Sequence, residues 1–272
     1  MKRLLSIEWN KIFYNKGTRI FIILYFVLII LMGLILPNFK PNFGQLEINF
    51  IKLGALDFPV IWHNIAWLVG FGKYFLAIII INNISNEYSF GTFKQNVIDG
   101  LSKLDFFKSK LYINILLVLF STLFVAILVT GLGLKFATKI DYFNGIEFLA
   151  GYFIEILAFI TFVMFLTFLL KKSSFTILAL FVLYITEYIF IGIERYSRGI
   201  ITTGNNTIIT EYLPLKANGE IIGFPPGNVA LYFQTGKFFE VSHIDWTYFT
   251  VNCIYIILFL GLSYFIIKKR DL

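Results

Sequence analysis

The chain has 272 residues, of which 58% are hydrophobic and 19% aromatic, while only 14% are charged. Soluble domains contain roughly 45–50% apolar residues, so the composition excludes an ordinary soluble domain and indicates a protein dissolved in lipid. The formal net charge is +7. Because the cations are spread along the edges of apolar runs, we expect them to face anionic membrane lipid, and we expect no nucleic-acid partner.

The polar segment at residues 1–19 predicts an amphipathic lead-in helix before the first apolar run. Leu5, Trp9, Ile12 and Phe13 fall at i, i+4, i+7 and i+8, which places them on one face of a helix. Such a helix lies flat in the membrane interface with its tryptophan at head-group depth. A simple anchor for the chain is the alternative.

Six apolar runs are each near the roughly 20 residues that a helix needs to cross a bilayer. They must be helical, because backbone amides cannot face lipid unpaired. The fold class is therefore predicted to be an all-α integral membrane protein with six transmembrane helices. The predicted spans are residues 20–36, 67–84, 112–134, 148–170, 175–193 and 248–267. With no internal repeat, residues 1–272 form a single transmembrane domain.

The distribution of Lys and Arg predicts the orientation of the bundle. An even number of spans puts both termini on one side, and the side richer in Lys and Arg is cytoplasmic. Fourteen of these residues adjoin the side of the termini and eight adjoin the other side. We therefore expect a multi-pass protein of the bacterial cytoplasmic membrane with both termini in the cytoplasm.

The connector between the second and third spans, residues 86–110, is charged and amphipathic. Phe90, Phe93, Val97 and Leu101 recur at i, i+3, i+7 and i+11, which predicts one apolar stripe on a short helix. A short helix held crosswise beneath a bundle can transmit a push from a partner.

The outer loop at residues 194–247 is unusually long. Loops longer than about 15 residues are usually functional or structured. Its apolar stretches predict short re-entrant or interfacial pieces packed on the bundle, at residues 200–201, 212–213 and 229–233. The first stretch is Ile200 and Ile201 and the second is Tyr212 and Leu213.

Three ionisable residues fall inside the predicted spans, namely Lys73, Glu155 and Glu187. Such residues are costly in a membrane and are candidates for function. They fall at one depth, about 10 Å below the outer ends at 1.5 Å per residue. We predict that Lys73 pairs with Glu155 or Glu187, bracing the helices or lining the exit of a transport path. A lysine that reaches outward to water, or a protonated glutamate, is the alternative.

The connector also carries Glu87, then Gly91 and Thr92, then Lys103 and Lys110. Together with the lead-in helix and six spans whose ends lie in the cytoplasm, this pattern resembles the type-2 permeases of ATP-binding-cassette exporters. The resemblance extends over essentially the whole chain.

The resemblance implies that the connector is a coupling helix seated on a separate ATPase subunit. The residues implied to contact that subunit are Glu87, Phe90, Gly91, Thr92, Phe93, Val97 and Lys103. The sequence contains no G-x-x-x-x-G-K-[ST] loop for phosphate, so ATP and Mg²⁺ are expected on the partner and no cofactor on this chain.

The implied function is export of a substrate driven by that ATPase, with a second permease copy or paralogue completing the transporter. His63 and His243 lie in separate segments without zinc-ligand spacing, so we expect neither a metal site nor a catalytic residue. A non-transporting membrane anchor or scaffold for an ATPase-driven assembly or mechanical complex shares these motifs and stays open as the alternative.

Overall fold

A computed structural model describes residues 2–40, 42–43, 46–47, 49–139, 141–198 and 208–269, without the side chains of residues 2–7, 42–43 and 46–47. The predictions for Leu5, Ile200 and Ile201 therefore lie outside the described part. The elements are α1 (Lys2–Tyr14), α2 (Lys16–Asn38), β1 (Asn42–Phe43), β2 (Leu46–Glu47), α3 (Val60–Gly70), α4 (Lys73–Ser89), α5 (Thr92–Ile98), α6 (Lys103–Phe136), α7 (Glu147–Leu170), α8 (Ser173–Ser197), a 3-10 turn (Ile209–Tyr212), α9 (Pro214–Gly219), α10 (Val229–Thr235) and α11 (Trp246–Lys269).

The protein is a multi-pass helical membrane protein. Within the described residues, five helices are each long and apolar enough to cross a membrane, namely α2, α6, α7, α8 and α11. Helices α3 and α4 meet this condition together and are bent by 41° at the break between them. The predicted helical class is confirmed, and the sixth span exists only if α3 and α4 form one bent crossing.

The bend between α3 and α4 is formed around Gly72. A Cβ atom at this position would lie 2.8 Å from the ring of Tyr25 in α2, so glycine allows the close approach of the two helices. Lys73 is the first residue of α4. The span predicted for residues 67–84 begins earlier, at Val60, and is interrupted just before Lys73.

The start of α3 could not be predicted from hydrophobicity, because polar side chains lie in its first two turns. The Nδ2 of Asn64 donates to the carbonyl of Ala55 at 2.8 Å, and the ring of His63 is hydrogen-bonded to Ser242. These partners lie in the connecting segments that cover one end of the bundle. Buried polar groups are tolerated when they are paired in this way, so the helix extends beyond the apolar run.

Helix α7 forms the centre of the bundle and packs against α3, α4, α6, α8 and α11. Apart from Glu147, Glu155 and a few hydroxyl groups it is apolar on all sides, which is typical of a buried helix. The chain enters and leaves the helices at two ends. We call the end that carries α1, α5 and the last turn of α11 the terminal face, and the end that carries residues 49–59, 137–146 and 208–245 the loop face.

The predicted lead-in helix is divided at Asn15. Its side-chain oxygen accepts a hydrogen bond from the backbone N–H of Thr18 at 3.2 Å and thereby caps α2. The single helix predicted for residues 1–19 is therefore wrong, since α1 ends before this cap. Ile12 is buried, whereas Trp9 and Phe13 are exposed, so only part of the predicted apolar face packs on the protein.

The long segment at residues 194–247 is shorter as a loop than predicted, because α8 continues to Ser197. The 3-10 turn and helices α9 and α10 occupy much of the remainder that the structure describes. Helix α9 packs against α7, α8 and α11, so this part of the chain inserts between membrane-spanning helices.

Candidate functional site

Lys110 is the centre of an ion cluster at the terminal face. Its side chain has no exposed surface, and its Nζ donates to Glu8 Oε2 at 2.6 Å, to Asn83 Oδ1 at 2.8 Å and to Glu87 Oε1 at 3.0 Å. A lysine ammonium has three protons to donate, so every one of them has an acceptor. The contacts join α6 to α1 and α4.

Lys11 and Thr92 complete this terminal cluster. The Nζ of Lys11 lies 2.6 Å from Glu87 Oε1 and 3.2 Å from Glu8 Oε1. The hydroxyl of Thr92, the first residue of α5, donates to Glu87 Oε2 at 2.7 Å. Glu87 therefore contacts α1, α5 and α6 at once, and the cluster ties the ends of four helices together.

The charges in the terminal cluster balance, with two lysines and two glutamates. A buried charge is tolerated when it is paired and its remaining hydrogen bonds are satisfied. Burial acts to lower the pKa of Lys11, but the nearby carboxylates of Glu8 and Glu87 outweigh it and raise the pKa above its ordinary value. Lys11 thus carries its proton at neutral pH and holds α1 against Glu87.

Two glycines set the limits of the connector helix. Gly91 precedes α5 with φ +69° and Gly100 follows it with φ +97°, a left-handed region that glycine enters without steric cost. Ser102 then caps α6, since its hydroxyl accepts from the backbone N–H of Asp105 at 3.0 Å. The sequence between the two spans thus forms a separate short helix, as the predicted stripe requires.

The predicted stripe is divided in the structure, because Phe93 and Val97 face the chain's own core whereas Phe90 does not. Phe93 is buried and its ring centroid lies 4.6 Å from that of Phe106, and Val97 packs against the same core. In contrast, Phe90 and Ile98 are 77% and 79% exposed. An apolar stripe predicts only that one side of the helix is buried, and here the covering surface is the chain's own bundle.

Three further predicted contacts are engaged within the chain. Glu87 is buried in the terminal cluster and Thr92 donates to it. Lys103 lies at the start of α6, and its Nζ is 3.5 Å from the backbone carbonyl oxygen of Lys268 in α11. Of the seven residues predicted to contact an ATPase, only Phe90 and Gly91 are exposed.

A second cluster lies toward the loop face, where the structure brings Lys73 and Glu155 together. The Nζ of Lys73 lies 2.7 Å from Glu155 Oε1 and 2.8 Å from Asn218 Oδ1. The Nδ2 of Asn218 donates to the backbone carbonyl of Glu155 at 2.7 Å and to Asn252 Oδ1 at 3.2 Å. We call these four residues the loop-face cluster, and they join α4, α7, α9 and α11.

Glu187 lies apart from this pair. Its carboxylate accepts from the backbone N–H groups of Leu215 at 3.0 Å and of Lys216 at 2.9 Å. Both donors belong to the first turn of α9, whose N–H groups have no partner within the helix. Glu187 therefore attaches α9 to α8 and is not the partner of Lys73.

Residues 63–272 match the protein-family model described as "Protein of unknown function (DUF2705)". The chain belongs to the DUF2705 family. No curated protein matches the sequence. The DUF2705 region contains the loop-face cluster and also Glu87 and Lys110, whereas Glu8 and Lys11 precede it.

Several residues of the two clusters in this DUF2705 chain were not predicted from the sequence. Glu8 is the only acidic residue before the first apolar run, and an isolated carboxylate among lysines could have been identified as a candidate ion-pair partner. Asn218 and Asn252 gave no such signal. The first lies in a connecting segment and the second in an apolar run, and only the three-dimensional packing brings them to Lys73.

Proposed function

We propose that this protein is the membrane-spanning permease subunit of an ATP-binding-cassette exporter. ATP and Mg²⁺ bind to a separate ATPase subunit, and a second permease copy or paralogue completes the transporter. The observation that supports this proposal most strongly is the terminal cluster. Through Glu87 it links the connector helix α5 to both α1 and α6.

The contacts of Glu87 make α5 a mechanical link. Thr92 connects α5 to the carboxylate, which is held in turn by Lys11 and Lys110. A buried and charge-balanced network resists gradual deformation, because separating one ion leaves its partner unpaired. A force applied to α5 therefore moves the ends of the membrane helices together, as switching between two states requires.

The free side of the connector supplies a surface for the ATPase. Phe90, Lys94, Gln95 and Ile98 are exposed on the terminal face. Large apolar side chains beside a few polar ones are typical of protein contact surfaces. We assign this face to the cytoplasm, where the ATPase lies, because the Lys and Arg of the chain concentrate there.

Co-purification from the native host tests the proposal. The tagged chain, extracted in mild detergent, should recover an ATP-binding-cassette ATPase. The double variant Phe90→Asp/Ile98→Asp should lose it, since both side chains are exposed and carry no packing role in the bundle.

Phe143→Asp is the matched control, because Phe143 is 83% exposed at the loop face. It should recover the ATPase as the native chain does. Absence of any such ATPase with the native chain would refute the proposal. Equal recovery with the double variant would refute the assigned surface.

A further inference from the structure

A cavity of about 220 Å³ lies beside the loop-face cluster. It is bounded by the bend between α3 and α4, by α7, by α8 and by α9. Phe71, Tyr184, Tyr188 and Gly219 in its lining are exposed, so the cavity opens between α8 and the bend. It is therefore accessible from the outer surface of the bundle.

The charged residues of the lining carry both signs and balance. Lys73 is paired with Glu155 at the base, and Lys216 of α9 is paired with Glu220, the residue that follows this helix. Glu155 uses Oε1 for the lysine, and among the described residues nothing donates to its Oε2. A carboxylate that is 95% buried by residue and has a free oxygen is an acceptor for an incoming cation.

Aromatic rings form the other walls. Trp67, Tyr74, Tyr184 and Tyr188 all line the cavity, and the last two rings lie 4.9 Å apart by their centroids. Aromatic faces attract ammonium groups, most strongly where water is excluded. Because Lys73 and Lys216 are each paired with a carboxylate, the lining has no net charge. An occupant with one ammonium and one anionic group fits such a lining without adding net charge, the ammonium beside Glu155 and the rings and the anion beside Lys216.

An apolar track leads to the cavity along α8. Ile177 and Phe181 are exposed, and with Tyr184 and Tyr188 they fall at i, i+4, i+7 and i+11, on one face of the helix. The track is continuous with the lipid-facing surface. An occupant of the cavity would thus have an apolar tail on the track and a polar head in the cavity.

We propose that this cavity binds the zwitterionic head group of an amphiphile. The ammonium group lies between Glu155 and the tyrosine rings, the anionic group lies toward Lys216, and the tail follows Phe181. A phospholipid of the membrane and a free zwitterionic amphiphile share this chemistry. The inference does not depend on the proposed ATPase coupling, since binding is measured on the chain alone.

A series of probes with one tail and three head groups tests the preference for a zwitterion. The full chain in dodecyl maltoside micelles is mixed with dodecylphosphocholine, dodecyltrimethylammonium or dodecyl sulfate, and retained adducts are counted by native mass spectrometry. One dodecylphosphocholine per chain should be retained at concentrations about tenfold below those needed for the other two. Equal retention of all three probes would overturn the proposal.

A substitution that fills the mouth of the cavity tests the location. A Cβ atom at Gly219 meets nothing within 4 Å, so a side chain can begin there without a clash, and Gly219→Phe is designed to place its ring in the opening. It should weaken retention of dodecylphosphocholine about tenfold. The matched control is Gly261→Phe in α11, where a Cβ atom also meets nothing. Retention unchanged by Gly219→Phe would overturn the site.

Two variants that each replace an exposed tyrosine by leucine test whether a loss of binding reflects the cavity or misfolding of the chain. Tyr184→Leu removes an exposed ring from the cavity wall. Tyr196→Leu removes an exposed ring of the same kind near the end of α8, away from the cavity. Only the first should weaken retention. Competition then identifies the source: displacement by phosphatidylethanolamine but not by phosphatidylglycerol assigns a membrane lipid, and displacement by neither assigns a free amphiphile.

Discussion

Lys110 and Glu8 are separated by 102 positions in the chain, yet the lysine Nζ lies 2.6 Å from the glutamate Oε2. Neither side chain has appreciable exposure. Helix α1 is thus fixed to α6 through a buried ion pair and is more than an anchor resting in the interface. The same lysine contacts Glu87, so the lead-in helix and the connector are part of one structural unit.

Removing the charge of Lys110 should be costly. In Lys110→Met the carboxylates of Glu8 and Glu87 keep, among the described residues, only Lys11 as a cationic partner. Breaking a buried ion pair on one side typically costs about 3–5 kcal/mol. We expect a loss of this size in the free energy of unfolding, measured by thermal or denaturant unfolding of the purified chain in detergent.

The control for this variant is Lys108→Met. Lys108 is in the same helix but outside the terminal cluster, and we expect a change within about 0.5 kcal/mol. A loss for Lys110→Met no larger than that of the control would show that the pair is not structurally important.

The pair of Lys73 and Glu155 should be strongly coupled. Lys73→Met and Glu155→Leu each leave one buried charge without its partner, and each should cost about 3–5 kcal/mol. The double variant replaces the pair by apolar groups, which is often close to neutral. The cost of the double variant should therefore be well below the sum of the single costs, as a double-mutant cycle measures. Additive costs would contradict the pairing.

The positions of the membrane helices followed from the sequence because the energetic requirement is local. A run of apolar residues must form a helix in lipid whatever its neighbours are. The connector helix could be predicted for the same reason. Gly91, Gly100 and Ser102 determine its limits through their own backbone and side-chain chemistry. The bend at Gly72 could not be predicted in the same way, because the ring that requires glycine at this position, that of Tyr25, belongs to another helix.

The direction in which each helix faces depended on tertiary packing. The spacing of Phe93 and Val97 showed that one side of α5 is apolar, but both a partner protein and the chain's own core could cover it. The structure places Phe93 against Phe106. Lys73 had two possible partners at equal depth, and the choice between Glu155 and Glu187 was decided by α9, whose first N–H groups bind Glu187.

Two glycines of α6 should respond oppositely to the same substitution. A Cβ atom at Gly133 would lie 2.4 Å from the ring of Phe58, whereas one at Gly131 would meet nothing within 4 Å. Gly133→Ala should destabilise the protein by about 1–3 kcal/mol, because an overpacked core must shift. Gly131→Ala should be neutral or should stabilise the helix by up to about 1 kcal/mol.

Unfolding of the two alanine variants in the same detergent checks this difference. Each serves as the control for the other, since they lie two positions apart in one helix and change the same group. Equal stability of the two variants would show that the contact between α6 and Phe58 can relax without cost.

At the loop face, Asp57 joins two segments. Its Oδ1 accepts from the backbone N–H of Thr138 at 2.8 Å and from the hydroxyl of the same residue at 2.9 Å. Its Oδ2 lies 2.8 Å from the Nζ of Lys237. Burial acts to raise the pKa of the Asp57 carboxyl, but these contacts outweigh it and lower the pKa below the ordinary value of 3.8.

This lowered pKa predicts a loss of stability in acid. Because the folded-state pKa of Asp57 is below the unfolded-state value, the unfolded chain takes up the proton first as the pH falls. The stabilising contribution is complete above pH 3.8 and is lost as the pH falls through the lower, folded-state pKa. Between pH 7 and pH 5 it should not change.

Unfolding temperatures measured from pH 7 to pH 2.5 for the native chain and for Asp57→Asn test this. Other carboxylates titrate in both proteins, so the informative quantity is the difference between the two curves. The native chain should be the more stable at pH 7, and the difference should shrink below pH 3.8, because the protonated carboxyl no longer attracts Lys237. A constant difference over the whole range would mean that the charge of Asp57 makes no contribution to holding the loop face together.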